Sequence, residues 1–83
     1  MNMRMDRRLS PRRITNTEAR IVFNAGRSER PCIVRDVSSG GARLEVATAV
    51  GIPETFDLLV PGHGPQPCRV AWRALKEIGV AYR

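Results

Sequence analysis

From Ala19 onward the chain is a succession of short apolar and β-branched runs, each cut off by turn-forming residues. Ala19–Asn24 reads as a first strand, ended by Asn24-Ala25-Gly26 and the polar stretch Arg27–Arg30. Pro31–Val37 reads as a second, running into a turn at Ser38–Gly41. In Ala42–Ala47 the residues Ala42, Leu44 and Val46 alternate with Arg43, Glu45 and Ala47, the period of a half-buried strand. Thr55–Val60 is a fourth strand, stopped by Pro61-Gly62-His63-Gly64-Pro65. In Pro67–Leu75 the alternation sets Cys68, Val70 and Trp72 on one face and Arg69, Ala71 and Arg73 on the other. That pattern points Trp72 into the core, with a stacking platform as the alternative. It leaves Arg69 and Arg73 to solubilise the opposite face or to extend an anion site. Ile78–Tyr82 closes the chain, with Ile78, Val80 and Tyr82 in phase.

Six strands at roughly 8–12-residue spacing, with no amphipathic helix between them, predict an all-β fold, a small six-stranded antiparallel barrel. Glu45–Ile52 could hold a helical turn, but Gly51 and Pro53 leave it no room. Closure of the sheet removes the exposed edges that a short open sheet would leave. Residues 1–17 stand apart: they hold five arginines and Pro11 and show little periodicity. They read as a flexible basic arm ahead of a barrel domain over 18–83.

An 83-residue chain has room for one hydrophobic core. Domains of this size bury only roughly 60–70% of their unfolded surface, so a ligand belongs on the surface or under a terminus. The formal charge is +6, and thirteen of the fourteen basic residues are arginine. Arginine offers planar, bidentate bonding that lysine lacks, so an anionic partner is one expectation, and a GC-rich genome favouring arginine codons is the plainer alternative for the excess as a whole. Cys32 and Cys68 are too few and too far apart for a zinc site or a disulfide framework. Both fall in strand-like runs and read as buried free thiols. No apolar stretch approaches the ~18–20 residues of a membrane span, and none follows the amino-terminal arginines as a secretory signal requires. A cytoplasmic protein with no membrane partner is the expectation. His63 sits alone in a Gly/Pro loop, and no nucleophile–base pair or metal cluster is visible, so a non-catalytic binding protein is expected.

Two short patterns carry the chemistry. Arg7-Arg8-Leu9-Ser10-Pro11-Arg12 pairs two arginines with a third, and Asp36-Val37-Ser38-Ser39-Gly40-Gly41 spaces an acid, a hydroxyl and a glycine as DxSxxG. Arginine forks suit phosphate oxygens and the O6/N7 edge of guanine. An ionised aspartate accepts hydrogen bonds, as the N1–H and N2–H₂ edge of guanine requires. A glycine lets backbone approach a ligand closely. The combination describes a site for a guanine nucleotide with bare phosphates. Each part also has a plainer reading: the arginines as a solvated tail or nucleic-acid arm, and Asp36 and Ser38 as a local turn at a strand end.

In this order, and ahead of these strands, the two patterns resemble the PilZ domain, the bacterial receptor module for cyclic di-GMP. The resemblance runs from about Asp6 to Tyr82 and includes the weaker Arg69-Val70-Ala71-Trp72 and Ile78-Gly79-Val80-Ala81-Tyr82. It implies a six-stranded barrel whose amino-terminal arm folds over bound cyclic di-GMP. Arg8 and Arg12 would then grip phosphates and guanine edges, and Arg7 would reach a second nucleotide copy. Asp36 and Ser38 would bond a guanine, with Gly41 shaping the turn that admits it. Signalling would pass through an unidentified effector protein. Two other readings compete: a PilZ-like adaptor that works by protein contact alone, and a basic barrel binding single-stranded nucleic acid. The second needs aromatic residues on one sheet face, and Phe23, Phe56, Trp72 and Tyr82 are scattered through core-like positions.

Overall fold

Each alternating run becomes a strand in the computed structural model, which describes residues 11–83. In chain order the strands are β1 (Arg13–Phe23), β2 (Ser28–Ser38), β3 (Gly41–Glu45), β4 (Thr55–Leu59), β5 (Gln66–Arg73) and β6 (Glu77–Tyr82). They close into a barrel in the order β1-β2-β3-β6-β5-β4, with every neighbouring pair antiparallel. The expected all-β, six-stranded antiparallel barrel is therefore the fold, and no helix occurs among the described residues.

Alternation fills the interior. Ala19 and Ile21, Cys32 and Val34, Ala42 and Leu44, Phe56 and Leu58, Cys68, and Ile78 and Val80 all point inward. Ile21, Leu44, Leu58 and Ile78 are fully buried, at roughly 1.5–3 kcal/mol of hydrophobic stabilisation each. Val46, Ala49 and Ile52, from the loop after β3, complete the core and close one end of the barrel. Arg73 pins that loop: its guanidinium donates to the carbonyls of Ala49 (3.1 Å) and Ile52 (2.9 Å). Cys32 and Cys68 are buried free thiols, as expected. Burial pushes both up to about 11, with a contribution at Cys32 from the nearby Cys68 and at Cys68 from Asp57.

Two expectations need correcting. β1 begins at Arg13, so residues 13–17 belong to the barrel wall, paired with β2 from Arg13 opposite Val37 to Thr17 opposite Val34. A bulge between Ile14 and Thr17, with Asn16 at φ 47°, interrupts the alternation and hides the strand in the sequence.

The second correction concerns β5. Val70 pairs with Val80 while Trp72 pairs with Gly79, so Ala71 is the extra residue of a bulge. Beyond it every side chain changes face. Trp72 is 45% exposed on the outer wall, and Arg73 turns to the closed end instead of sharing a face with Arg69.

Candidate ligand-binding face

A bulge in β2 does for Asp36 what the β5 bulge does for Trp72. Val34 pairs with Leu44 and Asp36 with Arg43, leaving Arg35 as the extra residue. Without it, the inward series Cys32, Val34 would continue to Asp36 and bury a carboxylate in the core. With it, Asp36 faces out. The pairings Ile14–Asp36, Asp36–Arg43, Arg43–Gly79 and Gly79–Trp72 then form one row across the outer wall. The next row joins Ser38 to Gly41, Gly41 to Ala81, and Ala81 to Arg69.

Asp36 remains 8% exposed at its side chain, although it lies on the outside, because arginines cover it. Arg12 donates from Nη1 to Oδ1 at 2.5 Å. Arg43 grips Oδ2 with a fork, Nε at 2.9 Å and Nη2 at 2.8 Å. A shielded carboxylate needs such partners to stay ionised, and charge-assisted forks are the strong ones. Arg43 reaches on from Nη1 to Glu77 Oε2 at 3.1 Å. Its guanidinium lies above its ordinary range, chiefly because Asp36 accepts its hydrogen bond and then through the charge of that carboxylate. Burial, and then the Cys68 thiol, raise the Tyr82 phenol, and the Arg12 charge opposes that rise.

The two glycines here are close approaches of different kinds. A Cβ on Gly41 would overlap the carbonyl oxygen of Val80, which is backbone of the neighbouring strand. A Cβ on Gly79 would fall inside the indole of Trp72, which lies across that glycine. The face is thus a shallow floor of Gly41 and Ala81, with Gly79 under the Trp72 ring at its edge. On one side it is bounded by Asp36, Ser38 and Arg43, and on the other by Trp72 and Arg69.

Of the candidate residues, Arg12, Asp36, Ser38 and Gly41 come together here, while Arg7 and Arg8 lie outside the described residues. Sequence reading missed Arg43 and Glu77. Arg43 sits two residues past Gly41 on the same alternation, which puts it on the motif's face once the register is known. Among the described residues no three His, Cys, Asp or Glu side chains gather as metal ligands. No helix there is long and apolar enough to cross a membrane.

The chain is thus a small closed barrel that carries this arginine–aspartate constellation on its outer wall. The PilZ domain family model matches residues 6–83, and the chain belongs to that family, known for cyclic di-GMP receptor modules that are generally non-catalytic. No curated protein matches the chain.

Proposed function

We propose that this chain is a cyclic di-GMP receptor that works by binding alone and signals through a partner protein. The observation that carries this reading is the meeting of Arg12, Asp36, Ser38 and Gly41 on one face, 24 residues bridged by a 2.5 Å ion pair. Asp36 accepts a hydrogen bond from each of Arg12 and Arg43, with a second nitrogen of Arg43 in ion-pair contact, and keeps acceptor capacity for the N1–H and N2–H₂ edge of a guanine. Arg12 can exchange its carboxylate partner for a phosphate at little electrostatic cost, since both are oxyanions suited to its fork. Ser38 offers a hydroxyl to the same base, and Gly41 keeps the floor low enough for the ligand to reach it. Trp72 presents its ring at the far side as a stacking surface. Arg7 and Arg8 add phosphate and guanine contacts from the amino-terminal segment.

The pattern fits a compact dinucleotide better than an oligonucleotide. Tracking a strand of bases takes several exposed rings. Phe56 is buried, Phe23 and Tyr82 pack against the core, and Trp72 is the one exposed aromatic among the described residues.

Each charge-assisted bond contributes about 1.5–3 kcal/mol, so several arginines acting together reach useful affinity where one does not. The test is isothermal titration of the intact chain with cyclic di-GMP, beside Arg8→Ala and Asp36→Ala. Saturable binding that weakens at least tenfold in both variants is expected. No heat at tens of micromolar from the intact chain would sink the ligand, and undiminished binding by both variants would sink the site.

A further inference from the structure

Arg12 reaches the face from just ahead of β1, and the far edge of the face also carries a cation. Arg69 lies mid-strand in β5 with Cys68 buried on one side of it and Val70 packed against the core on the other, so its own side chain points outward and is exposed. It pairs with Ala81, which pairs with Gly41, and Gly41 pairs with Ser38. Only small residues therefore separate Arg69 from the DxSxxG strand, across three strand spacings of about 4.8 Å each. The Ala71 bulge brings Trp72 onto this same outer wall three residues after Arg69, so one short segment supplies a ring and a fork together. Bulges re-aim side chains in this way beside binding sites.

Arg69 has no side-chain partner among the described residues, as is also true of Arg13, Arg27 and Arg83, and of these four it is the one in register with Gly41 and Ser38 through Ala81. Arg12, Arg20, Arg35, Arg43 and Arg73 all reach carboxylates. Arg30 donates to the Val50 carbonyl. Arg69 makes no ion pair or side-chain hydrogen bond among the described residues. Its strand neighbours on the outer wall are Ala81 and Thr55. A guanidinium that extends from a rigid strand, uncompensated, beside a low floor is suited to an anion arriving from outside.

We propose that Arg69 is the anion contact of the far wall, gripping the phosphate of the cyclic dinucleotide that the amino-terminal arginines do not cover. This rests on the cyclic di-GMP reading and extends it: the ligand is clamped from both walls, with Trp72 and Arg69 facing Arg12, Asp36 and Ser38. The site is then set partly by β5, well outside both sequence motifs.

The experiment titrates cyclic di-GMP into the intact chain, Arg69→Gln, Arg69→Lys and Arg27→Gln. Arg27 lies in the β1–β2 turn, about 30 Å along β2 from Asp36 at the usual strand rise, and controls for the loss of one charge. Arg69→Gln should weaken binding about tenfold, Arg69→Lys by less, and Arg27→Gln by under twofold. The gap between the intact chain and Arg69→Gln should narrow as salt rises, because a partly exposed charge contact is screened. Urea unfolding should leave the Arg69→Gln midpoint unchanged, since the side chain holds nothing in place. If the intact chain binds and Arg69→Gln binds equally well, or Arg27→Gln costs as much, the Arg69 contact is overturned while the ligand reading stands. If the intact chain does not bind, both fall.

Discussion

The motif face and the closed end of the barrel use the same residue type in opposite ways. At the closed end Arg73 donates to two backbone carbonyls, those of Ala49 and Ile52, and locks a loop whose Ala49 and Ile52 are core residues. On the motif face Arg12 and Arg43 hold a carboxylate that retains acceptor capacity, and they stand 55% and 41% exposed. One cluster is finished by the protein itself. The other stands at the surface and, on the function proposed above, would trade partners when the ligand arrives. Arginine content therefore says little about function here, and the nature of the acceptor says more. A backbone carbonyl in a closed loop has nowhere to go, whereas a carboxylate–guanidinium pair at a surface can be exchanged for a phosphate and a guanine.

The difference can be broken hardest at Gly41. Its would-be Cβ meets backbone of β6, which cannot swing aside, so Gly41→Ala must part β3 from β6. A loss of about 3 kcal/mol is expected from urea unfolding, at the upper end of ordinary overpacking. A cost under 1 kcal/mol would mean that the two strands are less tightly apposed. Next comes the interior that both regions share. Cys32 and Cys68 have an ordinary value of 9.0 and are pushed up to about 11 in the fold, mainly by burial. The folded state thus holds thiol protons that the unfolded state releases. Stability should be flat with respect to these groups below pH 9 and fall as pH rises through about 11. Between about pH 8 and pH 10.5 each thiol should cost about 2 kcal/mol, from 1.36 kcal/mol per pH unit of displacement. A Cys32→Ala, Cys68→Ala variant should lose most of that slope, whatever its stability at neutral pH.

Arg73→Ala sharpens the contrast from the other side. It should cost about 1–2 kcal/mol by leaving the Ile52 carbonyl without its donor, while Ala49 O keeps the Ile52 amide at 3.3 Å. Cyclic di-GMP titration should be unaffected by it, because the guanidinium faces the closed end. A variant that kept full stability but lost binding would merge the two regions into one.

The strands were legible because period-2 alternation survives within each short run, and Ala42–Glu45 or Thr55–Leu59 could hardly be read otherwise. The candidate site was legible in type, through Arg12, Asp36, Ser38 and Gly41. What could not be read was the side each residue faces after a bulge. A bulge adds one residue without altering composition, and from there on each position in the strand faces the other way. Asn16 concealed the first five residues of β1, and Ala71 sent Trp72 outward and Arg73 to the closed end. Arg43 was missed for a related reason: its tie to Asp36 crosses from β3 to β2, and only the register reveals it.

The smallest expected effect tests the outer wall itself. At Gly79 the would-be Cβ meets the Trp72 indole, a side chain that can rotate, and no backbone atom is among its nearest neighbours. Gly79→Ala should therefore cost under about 1 kcal/mol, in contrast to Gly41→Ala on the neighbouring strand. Its signature is optical. Trp72 is the only tryptophan, so its emission reports this one contact, and lifting the ring off β6 should shift the maximum to the red. If Trp72 also forms one wall of the ligand site, the displaced ring should weaken cyclic di-GMP binding while the fold persists. An alanine that left both emission and binding unchanged would show that the indole does not rest on Gly79 in solution. Trp72 would then no longer serve as a fixed wall opposite Asp36.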